Sequence, residues 1–207
     1  MPRRTKEDAE KTRQALMKTA LQLFFEKGIT ATTLNDIAKS AGVTKGAFYW
    51  HFKNKLELIQ AIEQDHTDQY RQMDQLLVSE EGDPIQNLLK AAELYFDQVE
   101  TIPELRQFLY VGYFMCEYTE EHESIKAWDK SMYQHYIVLI CELLDRVPED
   151  QWLPGTQANS EQLANVLVDS INGFLLRCLL LEESDLAARA TAMMRIILTG
   201  GGIKNLS

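Results

Sequence analysis

Lys45, Gly46, Ala47, Tyr49 and His51, with Thr44 before them and Lys55 after, are the residues whose types and spacing could do chemistry. Lys45 can donate to guanine O6 and N7, and Gly46 and Ala47 are small enough to admit the backbone and touch a thymine methyl. Thr44, Tyr49 and His51 carry donors suited to phosphate oxygens. Lys55, beside the unpaired N–H groups of a helix start, can hold a further phosphate. These groups match the floor and walls of a DNA major groove.

The elements that must position them are legible in the stretch from 33 to 55, T-L-N-D-I-A-K-S-A-G-V-T-K-G-A-F-Y-W-H-F-K-N-K. Thr33 with Asp36 three residues on predicts a capped helix that buries Leu34, Ile37, Ala38 and Ala41. Gly42 and Val43 make a turn. Thr44 then caps a second helix through Phe52, with Phe48 and Phe52 on the buried face and Lys45, Gly46 and Tyr49 on the other. This is the pattern of a helix-turn-helix with a short recognition helix. A further helix is expected from Asn54, with Glu57 completing its cap.

Charge supports the same division. The chain of 207 residues has a formal net charge of -10, which taken whole argues against nucleic acid. Residues 1–56 nevertheless hold 11 Lys+Arg and 5 Asp+Glu, a net of +6, leaving 10 and 26, a net of -16, for the remainder. A basic head on an acidic body is expected to hold DNA by the head alone. Arg3, Arg4 and Lys6 form an N-terminal arm that can follow the backbone or enter a minor groove.

The rest of the sequence is helical in period. Helices are expected over about 7–27, ending at Gly28, then 54–77, 84–100 opened by Pro84, 104–119, 124–146, 160–182 and 185–199. With the two of the motif these make about nine helices, an all-α fold. The domains expected are an N-terminal helix-turn-helix domain over 1–53 and a C-terminal ligand-binding and dimerisation domain over 54–207. No run of about 18 apolar residues and no export signal is evident, so no membrane partner is expected and a cytoplasmic location is. Cys116, Cys141 and Cys178, odd in number and far apart, read as reduced core residues.

Apolar and aromatic residues surround the helix expected at 104–119. Leu105, Phe108, Leu109, Gly112 and Cys116 form one stripe, and Arg106, Tyr110, Tyr113, Phe114 and Glu117 the other side, the composition of a small-molecule pocket. Phe96, Trp128 and Met132 are candidate further walls. The helix at 160–182 is apolar over most of its circumference. With the last helix it is expected to form a four-helix homodimer interface through Leu163, Leu167, Ile171, Gly173, Phe174, Cys178, Ala190, Met193 and Ile197. Two heads roughly 34 Å apart would suit a palindromic operator.

Residues 3–58, from R-R-T-K-E-D-A-E-K-T-R through F-Y-W-H-F-K-N-K-L-E-L, closely resemble the DNA-binding head of TetR family regulators. The Y-W-H-F-K-N-K ending and F-M-C-E-Y at 114–118 look most like the branch typified by the multidrug-efflux repressor AcrR. The resemblance implies a nine-helix homodimer whose body binds a lipophilic inducer, moves the connecting fourth helix and drives the two heads apart. It further implies base contact by Lys45, where many relatives carry Arg, and phosphate contacts by Thr33, Thr44, Tyr49, His51 and Lys55. The Lys removes the bidentate guanidinium fork. An alternative is a regulator that senses no small ligand. Catalysis is not expected: His51, His66, His122 and His135 are scattered, no Ser-His-Asp order or metal-spaced cluster occurs, and no cofactor or metal is called for.

Overall fold

The computed structural model describes residues 6–116, 123–156 and 158–204, without the side chains of 68, 69 and 123–129. Those residues form helices α1 (Lys6–Lys27), α2 (Leu34–Ser40), α3 (Lys45–His51), α4 (Lys55–Val78), α5 (Pro84–Thr101), α6 (Pro103–Tyr110), α7 (Glu123–Asp145), α8 (Ser160–Leu181) and α9 (Leu186–Gly200). The fold is all-α, as its periodicity predicts. Two compact units result, one from residues 1–68 and 103–126, the other from 69–102 and 127–207.

In the first unit, α1, α2, α3 and the start of α4 enclose a core of Leu16, Ala20, Phe24, Ile37, Phe48, Phe52 and Leu58. Gly28 ends α1 at φ +85°, a conformation that costs a side-chain-bearing residue energy. Thr32 is buried beneath this turn, and its hydroxyl donates to the Gly28 carbonyl at 2.7 Å. α6 also belongs here, packed on α1 and tied to it by Lys18 Nζ to Glu104 Oε1 at 2.6 Å. That ammonium's hydrogen bond holds the Glu104 carboxyl below its ordinary pKa.

One long helix is expected over 104–119, but α6 stops at Tyr110. The chain widens into a π turn over Val111–Met115, and Cys116 turns extended. Val111 is driven into the core of the first unit, while Phe108, Met115 and Cys116 pack against that core. The expected last residues of that helix, 117–119, lie outside the described residues.

In the second unit, Asp83 caps α5 by accepting from the Gln86 N–H at 2.9 Å, and Pro84 occupies the first turn, where its missing donor costs nothing. α5 and α8 pack against α9 over Ile85, Leu88, Leu89, Leu167, Met194 and Leu198. The start of α9 is capped from a distance: both oxygens of Glu100 accept, from the N–H groups of Asp185 at 2.9 Å and Leu186 at 3.0 Å. α8 is long and apolar enough to cross a membrane by length and composition, although the sequence reading found no such segment; 44% of its apolar window is buried within the chain.

Candidate nucleic-acid interface

The turn between α2 and α3 is built entirely by local groups. Thr33 Oγ1 accepts from the Asp36 N–H at 3.1 Å while the Asp36 carboxylate accepts from the Thr33 N–H at 3.0 Å, the reciprocal box that the sequence predicts. The Thr33 backbone bond first, then the ammonium of Lys27 at 3.0 Å, hold Asp36 at a pKa of about 2. At the far end the Gly42 N–H donates to Lys39 O and the Val43 N–H to Ala38 O, a paired closure that needs Gly42 at φ +69°. Thr44 Oγ1 then accepts from the Ala47 N–H at 3.1 Å and starts α3.

α3 has seven residues, and two aromatic rings fix its rotation. Phe48 is buried and Phe52, at its C-cap, is buried beneath the Arg13 guanidinium at 5.4 Å. The opposite face carries exposed Lys45, Gly46 and Tyr49, with Ala47 half-buried. Lys45 Nζ stands 5.9 Å from the Tyr49 ring centre. Thr33 and Thr44 are exposed at the two helix starts. His51 is half-buried, with its ring edge-on to Trp50 at 4.6 Å. Arg3 and Arg4 lie outside the described residues, and Lys6 is the first residue of α1.

Trp50 is not among the residues that the sequence pattern assigns to DNA. It is 72% exposed on α3, beside the 47% exposed Tyr49. A signal for it existed: with Phe48 and Phe52 fixed inward at i and i+4, position 50 must point outward.

Lys55 has a further partner that local pattern could not supply. Its ammonium donates to the Ile29 carbonyl at 2.8 Å, closing the start of α4 over the α1–α2 turn. The cap at Asn54 forms, with Asn54 Oδ1 accepting from the Glu57 N–H at 2.8 Å. The expected reciprocal bond is displaced by one residue, because Glu57 accepts from the Lys53 N–H at 2.6 Å.

The residues expected to line a ligand pocket divide between the two units. In the first, Arg106 is half-buried on α6, and Tyr110 meets Phe25 edge-on at 5.0 Å and Phe114 at 4.8 Å. Tyr113 and Phe114 are half-buried within the π turn. In the second, Met132 is half-buried on α7, and Phe96 is fully buried, edge-on to Phe174 at 5.1 Å. Glu117 and the side chain of Trp128 lie outside the described residues.

The expected dimer residues fall on both sides of their helices, with Gly173 exposed. Leu163, Leu167, Cys178 and Ala190 are buried within the core of their own unit. Phe174 is buried too, with the guanidiniums of Arg177 and Arg189 each 5.4 Å from its ring centre. Ile171, Met193 and Ile197 pack half-buried against the core. Among its apolar residues α8 leaves outward Val166, Gly173 and Leu180, seven residues apart on one stripe, with Leu176 beside them, and Leu181 at its end; α9 leaves Ile196. An apolar helix offers two faces for burial, and the expected residues draw on both.

Residues 16–62 match the family described as bacterial regulatory proteins, tetR family. The HTH-type transcriptional regulator TtgR of Pseudomonas putida is 34% identical over 191 residues, 89% of this chain and 88% of that protein. The probable acrEF/envCD operon repressor of Escherichia coli is 39% identical over 123 residues, 58% of this chain and 56% of that protein. Among solved structures, NalD, the secondary repressor of the MexAB-OprM multidrug efflux pump in Pseudomonas aeruginosa, superposes with a TM-score of 0.81 at 29% identity, covering 97% of this chain and 100% of that one. A basic helix-turn-helix head with an outward reading face, on a helical body similar over most of its length to such regulators, makes the chain a DNA-binding transcriptional regulator of the TetR family rather than an enzyme.

Proposed function

We propose that the protein is a cytoplasmic homodimeric repressor that occupies a palindromic operator and is released by a lipophilic small molecule, and that the genes it controls encode an efflux pump. The observation that carries this reading is α3: its inner face is locked by Phe48 and Phe52, so its outer face is presented as a rigid unit. Lys45 with Gly46 and Ala47 would read base edges, and Thr33, Thr44, Tyr49, His51 and Lys55 would hold phosphates, with Trp50 on the same outer surface. Residues 1–53 act as the DNA-binding domain and 54–207 as the ligand-binding and dimerisation domain. Two chains would pair through the outward stripe of Val166, Gly173, Leu176 and Leu180 with Ile196, burying the large apolar side chains that one chain leaves exposed. The inducer would take its contacts from Phe96, Arg106, Tyr110, Tyr113, Phe114, Glu117, Trp128 and Met132. Efflux control follows the names of the relatives, NalD above all.

Release by a ligand is a linkage, so it has a quantitative test. A compound that lowers operator affinity by ~5–150-fold must itself bind the operator-loaded protein more weakly by the same factor. Compounds are screened for release of a labelled operator, and the strongest is titrated calorimetrically against free and operator-bound protein. Equal affinity in both titrations would rule out induction through the body.

A further inference from the structure

The last turn of α4 is held from the end of α7 by Arg146. Arg146, which follows the end of α7, donates from Nη2 to the Leu77 carbonyl at 2.6 Å and from Nη1 to the Ser79 carbonyl at 2.6 Å, with the Val78 carbonyl at 3.4 Å. Carbonyls at a helix C-terminus have no partner within the helix, and a cation is favoured there by the helix dipole. A guanidinium presents donors from two terminal nitrogens in a rigid planar fork, whereas an ammonium offers its three from a single point on a flexible stem.

The surroundings strengthen the clamp. Leu77 is buried in the core of the second unit beside Leu143, Leu144 and Val147, so the carbonyls are fixed from below. The turn that follows α4 is tied from α5 by Asn87 Nδ2 donating to the Glu81 carbonyl at 2.8 Å. The other oxygen of the α5 cap, Asp83 Oδ2, accepts from Gln151 Nε2 at 3.4 Å. Arg146 thus holds the end of α4 itself, and Asn87 and Gln151 tie down the turn and the α5 cap that follow it.

We infer that Arg146 is a positioning residue for operator recognition: by clamping the last turn of α4 to the end of α7, it fixes the anchor of the helix that carries the head. This rests on the reading of the protein as a two-headed operator binder. Once one head is on its half-site, the second binds intramolecularly, with an effective concentration set by the stiffness of what joins them. A loosened anchor lowers that concentration and leaves each head's own contacts intact. Arg146 itself makes no DNA contact.

The test compares two duplexes, one selected from random sequence by the parent protein and one with a half-site scrambled. Arg146→Met is expected to bind the scrambled duplex as the parent does and the full duplex about tenfold more weakly. Arg146→Lys, which keeps the charge without the fork, should fall between them. Hydrogen exchange should rise at the Ser79 amide, which donates to Gln75 O at 3.1 Å. If Arg146→Met does not fold, Arg146→Lys decides by the same readouts. Unchanged full-site affinity, or equal weakening on both duplexes, would overturn the inference. A parent protein that enriches no duplex would overturn the operator reading itself.

Discussion

The Thr44 hydroxyl accepts from the Ala47 N–H, which leaves its own hydrogen to donate outward, so one side chain can start the recognition helix and meet a phosphate. Lys45 and Lys55 differ more than their shared chemistry implies. Lys45→Ala is expected to cost about 1–3 kcal/mol of operator affinity and relax preference at one base pair per half-site, with little change in melting temperature. Lys55→Ala should weaken all sequences and reduce the salt slope by about one. It should also lower the melting temperature, because the Ile29 carbonyl loses the shorter of its bonds and keeps the longer one from the Thr32 N–H. Anisotropy across a salt series and thermal melts separate the two, and parent-like DNA binding by both variants would dismiss these contacts. Asp36 supplies a pH prediction. A carboxylate whose pKa is depressed on folding stabilises the head above its ordinary pKa. That contribution is lost as pH falls from the ordinary 3.8 through about 2. An NMR titration of the carboxyl carbon should give the lower midpoint; a value near 3.8 would mean that the box with Thr33 does not persist in solution.

Among the elements, the α2–α3 turn depends most on one residue. Gly42 sits at φ +69° with nothing within 4 Å of where a Cβ would lie, so Gly42→Ala is a pure test of backbone conformation. It should destabilise the protein by about 1–2 kcal/mol in chemical denaturation. Gly46→Ala, inside α3 with its nearest contact at 3.9 Å, should be neutral or stabilising by up to about 1 kcal/mol. The same loss for both would remove conformation as the reason for Gly42. This turn, the caps at Thr33 and Thr44 and the helix start at Pro84 were legible in the sequence because they are made by neighbours within a few residues. Long-range pairings were not. Nothing local says that α6 joins α1 through Lys18 and Glu104, 86 positions apart, or that Glu100 caps α9 from α5. The π turn was equally hidden, since five residues are too few for a period to distinguish it from α-helix.

At the scale of the whole molecule, α8 carries an inner apolar face and an outer one. The expected interface residues fall on both faces, Leu163, Leu167 and Cys178 buried and Gly173 exposed, because residues apolar on every side carry no phase. Leu180 is 60% exposed and Ile196 is 74% exposed, whereas Leu167 and Ala190 are wholly buried. Leu180→Glu is expected to raise the dimer dissociation constant by about 100-fold or more while secondary structure is retained, read by sedimentation. Leu167→Glu should instead unfold the body. Monomer and parent would be indistinguishable in sedimentation if the paired surface lay elsewhere. The central claim is that two copies of α3 read DNA together, and hydroxyl-radical footprinting of a selected operator tests it most directly. Two protected patches related by a dyad and about one helical turn, roughly 34 Å, apart are expected, both lost in Leu180→Glu at concentrations where that variant is monomeric. A single asymmetric patch, or full protection by the monomeric variant, would contradict it.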